Sequence, residues 1–289
     1  MMRSPDCIAT AVRTSGGAIV VQREPFTSLT RRYRPLNIPV IRGAIAFVET
    51  FVIAIKALSF SAEKATEELP GTEGAAAGGD AKKTRTGLSI IHIVLTIVAA
   101  FALGFGLFFY LPLLLTELTG LTQGVLFNLV DGVIRLVFLV MYIVLITRWK
   151  EMRRIFEYHG AEHKTISAFE AEGRATPENV RAYSTLHTRC STSFLLLVVV
   201  VSIIVFMVLG RPDSVGDKII RFAFIPVIGG VSYELLKLSA NPAARRYMAF
   251  LVLPGLFLQR LTTKEPSSDQ LEVAIAALDA CLGDKIVES

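Results

Sequence analysis

Four long apolar runs, separated by short links or by charged segments, set the pattern of this chain. The first extends from Leu88 to Leu115 and the second from Leu121 to Thr147. The link between them, Thr116 to Gly120, is short enough to make a helical hairpin. A third run covers Phe194 to Leu209 and a fourth Ile219 to Leu238. Pro226 and Gly229-Gly230 bend or thin the fourth, which neighbouring helices tolerate. Runs of this kind suit the roughly 20 residues a helix needs to cross a bilayer.

An earlier apolar helix, Gly43 to Phe60, is long enough to be considered as a span, yet it holds Glu49 and Lys56. Arg31, Arg32, Arg34 and Arg42 precede it, and Lys64, Lys82, Lys83 and Arg85 follow. Basic residues on both sides keep both ends in the cytoplasm, so we read a helix lying in the interface or packed against the bundle. Met248 to Leu258 is apolar but too short to span, and Pro254-Gly255 interrupts it, as in a re-entrant or interfacial helix. Ser268 to Leu282 sets apolar positions among acidic ones and reads as a capped amphipathic helix. Ala9 to Val12 and Ala18 to Val21 are short β-type runs around Ser15-Gly16-Gly17, a hairpin pattern.

The chain therefore divides into a small β-rich cytoplasmic segment (1–40), the interfacial or bundle-packed helix (41–62) and a flexible Gly- and Ala-rich linker (63–87). A first transmembrane hairpin (88–147), a cytoplasmic His/Glu/Cys segment (148–193) and a second transmembrane hairpin (194–238) follow, then cytoplasmic interfacial and amphipathic helices (239–289). The expected fold class is mainly α: a polytopic helical membrane protein with four spans, interfacial helices and a small N-terminal β-hairpin.

Composition agrees. Hydrophobic residues make up 52% and charged residues only 19%, below the roughly 25% charged of soluble domains, so the excess belongs in a bilayer. The net charge of +5 does not indicate nucleic acid, because the basic residues stand beside the apolar runs, where orientation and lipid phosphates account for them. Lys82, Lys83 and Arg85 precede the first span, Arg148, Lys150, Arg153 and Arg154 follow the second, and Lys237, Arg245 and Arg246 follow the fourth. Placing all three groups in the cytoplasm is consistent for four spans and leaves both termini there. Cys7, Cys190 and Cys281 are scattered and odd in number, which fits a reducing compartment without a disulfide framework. The opening Met1-Met2-Arg3-Ser4-Pro5 lacks the apolar stretch of a signal peptide.

The chemistry is concentrated in Tyr158-His159-Gly160-Ala161-Glu162-His163-Lys164. On a helix, His159 and His163 share a face one turn apart, so both imidazoles reach one metal ion. Glu162 projects from a neighbouring angle, where a carboxylate polarises a metal-bound water, and the order His-x-x-Glu-His is that of inverted zincins. A third protein ligand has three candidates: His187, Cys190 just before the third span, and Glu234 near the end of the fourth. Glu170, Glu172 and Glu178 lie on the same segment. The plainer reading is a polar surface loop whose histidines meet lipid phosphates or cap helices. Zinc is the first expectation for the metal. Asp131 and Arg135, one turn apart in the second span with Asn128 before them, read as an internal salt bridge in preference to an ion path. Glu49 and Lys56 are expected to serve the same bundle, and His92 to pack inside the first span.

These residues, taken with Met1-Met2-Arg3-Ser4-Pro5, Ala11-Val12-Arg13, Pro39, Arg42-Gly43, Leu58, Ser61-Ala62, Asn179-Val180-Arg181, Arg189-Cys190-x-Thr192-Ser193-Phe194 and Ser232-Tyr233-Glu234, resemble the YqhQ-like bacterial membrane proteins, a family of unknown function. The likeness covers nearly the whole chain outside the linker. The resemblance implies a bacterial inner-membrane location and the metal dependence commonly expected of that family. Two positions depart from it. Family members have a glycine-rich stretch before the Met-Met-Arg where this chain opens, so the natural start is expected upstream. They also carry glycine after the cysteine, where this chain has Ser191.

Three functions follow as expectations. The first is a membrane-embedded, metal-dependent hydrolase with Glu162 as general base and a divalent transition metal on His159, His163 and a third ligand. The second is a non-catalytic protein that assists insertion or assembly of other membrane proteins. The third is an ion or small-solute transporter built on Asp131 and Arg135.

Overall fold

The computed structural model describes residues 1–66, 95–96, 98–187, 190–239 and 249–283. His92, most of the linker, the start of the first span and Arg189 lie outside the described residues. Three antiparallel strands, β1 (Met2–Arg3), β2 (Cys7–Arg13) and β3 (Ile19–Pro25), form a sheet in that order. The β2–β3 hairpin pairs Ala9 with Arg23 and Arg13 with Ile19, and it turns at Gly17 with φ +87°, a left-handed conformation open to glycine at little cost. The extra strand β1 turns the expected hairpin into a small sheet.

A short helix α1 (Leu29–Arg32) leads to α2 (Ile41–Thr66). There follow α3 (Val98–Glu117), α4 (Gly124–Ile146), α5 (Lys150–Glu172), α6 (Ser191–Leu209), α7 (Val215–Ala223), α8 (Ile225–Ser239), α9 (Ala249–Thr262) and α10 (Ser268–Leu282). Among the described residues, five stretches are long and apolar enough to cross a membrane: Ile41–Lys64, Val98–Glu117, Gly124–Ile146, Thr192–Leu209 and Val215–Ser239. Four correspond to the runs read from the sequence. The fifth is α2, whose two internal charges do not lower its hydropathy enough to exclude it.

Those charges do not join the bundle's ion pair as expected. Glu49 accepts hydrogen bonds from the Ser28 hydroxyl at 3.0 Å and the Leu29 amide at 2.7 Å, and Lys56 lies 3.8 Å from Glu24 of β3. Both fasten α2 to the sheet and its exit. On the other side α2 crosses α8 so closely that a side chain on Gly43 would strike the backbone of Gly230, the kind of small-residue contact that lets membrane helices approach. Arg42 forms a two-pronged pair with Glu234 at the same crossing.

The fourth expected span is two helices. α7 ends at Ala223, the chain turns at Phe224, and α8 begins with Pro226 in its first turn, where a missing N–H is harmless. α9 continues through Pro254, yet its 14 residues span only about 21 Å, short of the roughly 30 Å of a bilayer core. α10 starts at a full capping box, Ser267 with Gln270. It is sandwiched between the sheet and α5 in a core of Met2, Cys7, Ala9, Ala161, Leu271 and Leu278. Leu139 and Ile143 of α4, Leu196 of α6 and Leu258 of α9 form a second core within the bundle. Phe47, Phe51, Val133, Val137 and Ile219 are among the large apolar side chains left exposed, and those on the spans are faces for lipid.

Within the bundle Asp131 accepts a hydrogen bond from Arg135 at 2.9 Å, both nearly inaccessible. Arg221 of α7, which the sequence reading missed, adds a second guanidinium 4.0 Å from the same carboxylate and donates to Asn128 Oδ1 at 2.6 Å. Phe109 and Phe206 cover the Arg135 guanidinium. Every charged group here is held by neighbours, as in a packing node.

Candidate functional site

α5 begins straight after α4 and ends at Gly173, which takes φ +73° and closes the helix. Its helical register brings His159 and His163 together, with ring centroids 4.5 Å apart. Gly160 stands between them in mid-helix, where it weakens the helix by about 1 kcal/mol relative to alanine. Its reason is a close approach: a side chain there would collide with the carbonyl of Lys264, and Lys264 donates its own amide to Phe156 at 3.0 Å. The link from α9 to α10 thus lies directly on α5 at the histidines.

Both rings are oriented by backbone oxygens. His159 Nδ1 lies 2.9 Å from the Thr262 carbonyl and His163 Nδ1 lies 2.5 Å from the Thr185 carbonyl. A carbonyl only accepts, so each Nδ1 is the donor, and in the neutral ring the lone pair is on Nε2. His159 Nε2 is 3.2 Å from Cys190 Sγ. One ligand atom from each of His159, His163 and Cys190 falls within 4.8 Å of the others. His163 and Cys190 are buried.

Cys190 is the N-cap of α6, and its sulfur accepts from the Thr192 amide at 3.3 Å. Burial pushes the thiol up, but hydrogen bonds and charge from His159 and His163 outweigh it and bring it down to about 5. Burial likewise opposes protonation of His159, and the Cys190 sulfur, the Thr262 carbonyl and Glu162 overcome it, so its pKa is raised. Each group thus favours charge on the other, thiolate on Cys190 and imidazolium on His159.

The other sequence candidates stand apart. His187 Nε2 faces Glu170 at 3.3 Å, with its ring 5.8 Å from that of His163. Glu234 is engaged by Arg42 on α2. Glu162 meets the Met1 amino group at 2.5 Å and is partly exposed. Glu172 accepts from Asn179 and Tyr183. The sequence reading also missed Gln259, which is fully buried and brackets the His187 backbone, accepting from its amide at 3.0 Å and donating to its carbonyl at 2.8 Å. A lone amide in an apolar stretch was the available signal. Thr185 and Thr262 act through backbone oxygens, which no residue type announces.

A model described as "Protein of unknown function (DUF1385)" matches residues 38–284. The chain is also 34% identical over 286 residues to "Uncharacterized protein YqhQ" of Bacillus subtilis (strain 168), an alignment that takes in 94% of this chain and 86% of the relative. No solved structure matches. The His159–Cys190 cluster and all the described spans apart from the N-terminal sheet fall inside the matched region, and the chain belongs to this YqhQ-like family of unknown function.

Proposed function

We propose that this membrane protein holds a divalent transition-metal ion, zinc first, on His159, His163 and Cys190, and that the site is hydrolytic with Glu162 as general base. The convergence of the three donors supports the reading. One ring nitrogen from each histidine and the Cys190 sulfur lie within 4.8 Å of one another, and a single thiol proton can serve only one of the two rings. A cation answers all three at once. When bound, the ion supplies Lewis acidity and a more acidic water. The chain's own residues do the rest. The Thr262 and Thr185 carbonyls hold the ring tautomers, the start of α6 favours the thiolate, and Glu162 would accept the proton of the attacking water. The site would lie at the cytoplasmic face of a bacterial inner membrane.

The burial of His163 and Cys190 favours a second reading, in which the same ion is a structural staple in a protein that assists insertion or assembly of other membrane proteins. The test is metal content by plasma mass spectrometry of detergent-purified protein and of a His159→Ala/His163→Ala variant. Near-stoichiometric zinc that is lost in the folded variant supports the site. No metal in well-folded protein prepared without chelator sinks it. Glu162→Gln then separates the readings: zinc kept with function lost favours hydrolysis, and function kept favours the staple.

A further inference from the structure

An open cavity of about 290 Å³ on the flank of the bundle reaches His159, one member of the His159–His163–Cys190 cluster. Tyr142, Ile143 and Ile146 of α4 and Leu195 of α6 line one part of it, and His159, Thr192 and Thr262 line the other. Tyr142 and Leu195 are each 41% exposed, and both stand on spans, so this part opens sideways to lipid. His159 belongs both to the cavity and to the donor set.

We propose that the site takes a membrane glycerophospholipid, with part of an acyl chain in this cavity and the phosphate on the basic collar that follows α4. The assignment names the ligand of the metal site inferred above and rests on that reading. Three observations favour a lipid over a membrane peptide. The lateral walls offer only apolar side chains apart from the Tyr142 hydroxyl, and α4 and α6 satisfy their own backbones. A peptide would bring an N–H and a C=O at every residue with nothing to pair them, whereas an acyl chain brings none. The volume is at the low end for a small-molecule site, which suits a ligand whose remaining chain stays in the bilayer. Finally, Arg148, Lys150, Arg153 and Arg154 are all exposed where α4 gives way to α5, with Trp149 and Ile155 exposed among them. Basic residues interleaved with an indole at a span's end match an anionic headgroup layer. Arg153 lies one turn before Phe156, and Phe156 one turn before His159, so the collar continues into the cavity along α5.

The experiment uses the full chain in detergent, loaded with zinc and assayed for zinc content. Native mass spectrometry then follows retention of phosphatidylglycerol, phosphatidylcholine and chainless glycerol phosphate. Wild type is expected to retain one phosphatidylglycerol at roughly tenfold lower concentration than phosphatidylcholine, and to ignore glycerol phosphate. Leu195→Trp, which fills the lateral mouth, is expected to weaken that retention roughly tenfold while zinc content stays. The exposed pair Arg153→Glu/Arg154→Glu, which gives up the surface ion pair of Arg153 with Glu157 at 3.4 Å, is expected to abolish the preference for phosphatidylglycerol. Unchanged retention in both variants, equal retention of glycerol phosphate, or a co-purified peptide in place of lipid would each overturn the lipid assignment with zinc still bound. Zinc missing from wild type would overturn the metal reading itself, whichever lipids bind.

Discussion

The cluster of Asp131, Arg135, Arg221 and Asn128 inside the bundle and the cluster of His159, His163 and Cys190 at its end are both polar, largely buried and assembled from distant parts of the chain. They differ in what their atoms lack. The first leaves Asp131 Oδ1 and Arg221 Nη1 without a hydrogen bond, one acceptor and one donor, a shortfall the cluster can settle within itself or with one water. The second brings a nitrogen of each histidine and a sulfur within 4.8 Å of one another, and on the proposed reading they meet one cation. Burial alone therefore does not mark a functional site. On that reading, what the polar atoms lack separates a packing node from a place that calls for a cation.

The contrast can be broken at either end. The largest effect is expected from Asp131→Ala, which strands two guanidinium groups in an apolar bundle. A loss of about 3–5 kcal/mol is expected, read as a fall in thermal stability in detergent with zinc per folded molecule unchanged. If zinc falls in step with stability, the two clusters are coupled and the contrast fails. Gly160→Ala should follow at about 2–3 kcal/mol, because the added methyl meets the Lys264 carbonyl and pushes the α9–α10 link off the histidines. Here zinc retention should weaken together with the unfolding temperature. Gln259→Leu removes the side-chain hydrogen bonds to the His187 amide and carbonyl and is expected to cost about 1–2 kcal/mol. Hydrogen exchange should report loosening confined to the segment before α6. Smallest is Glu162→Gln, expected within about 0.5 kcal/mol of wild type in stability and neutral for zinc content. A folding defect there would mean that the carboxylate is structural.

Much of this was legible in the sequence for identifiable reasons. Hydropathy fixes where apolar helices run, and Ser267 and Gln270 announce the start of α10 because a capping box is a local device. The i, i+4 spacing of His159 and His163 is local too. Choosing among His187, Cys190 and Glu234 is not. It depends on Glu170 occupying His187 and on Arg42, 192 residues away from Glu234, occupying that carboxylate. Arg221 was passed over because a lone arginine within the fourth run gives no sign that it turns inward to Asn128. The contacts of Glu49 and Lys56 went unread for the opposite reason: charges on an apolar helix suggest one another, and here they answer to the sheet instead.

The hydrogen bond from His159 to Thr262 also has a meaning in time. Thr262 emerges from synthesis about a hundred residues after His159, after the described spans have been made. Until α9 docks, His159 lacks the carbonyl that orients its ring, and of the two imidazoles that lower the Cys190 thiol only His163 has its backbone partner. Completion of the donor set thus coincides with completion of the bundle, so uptake of an ion would register that the last helices had reached their places. A chain stalled before Thr262 would carry the same ligands without the site.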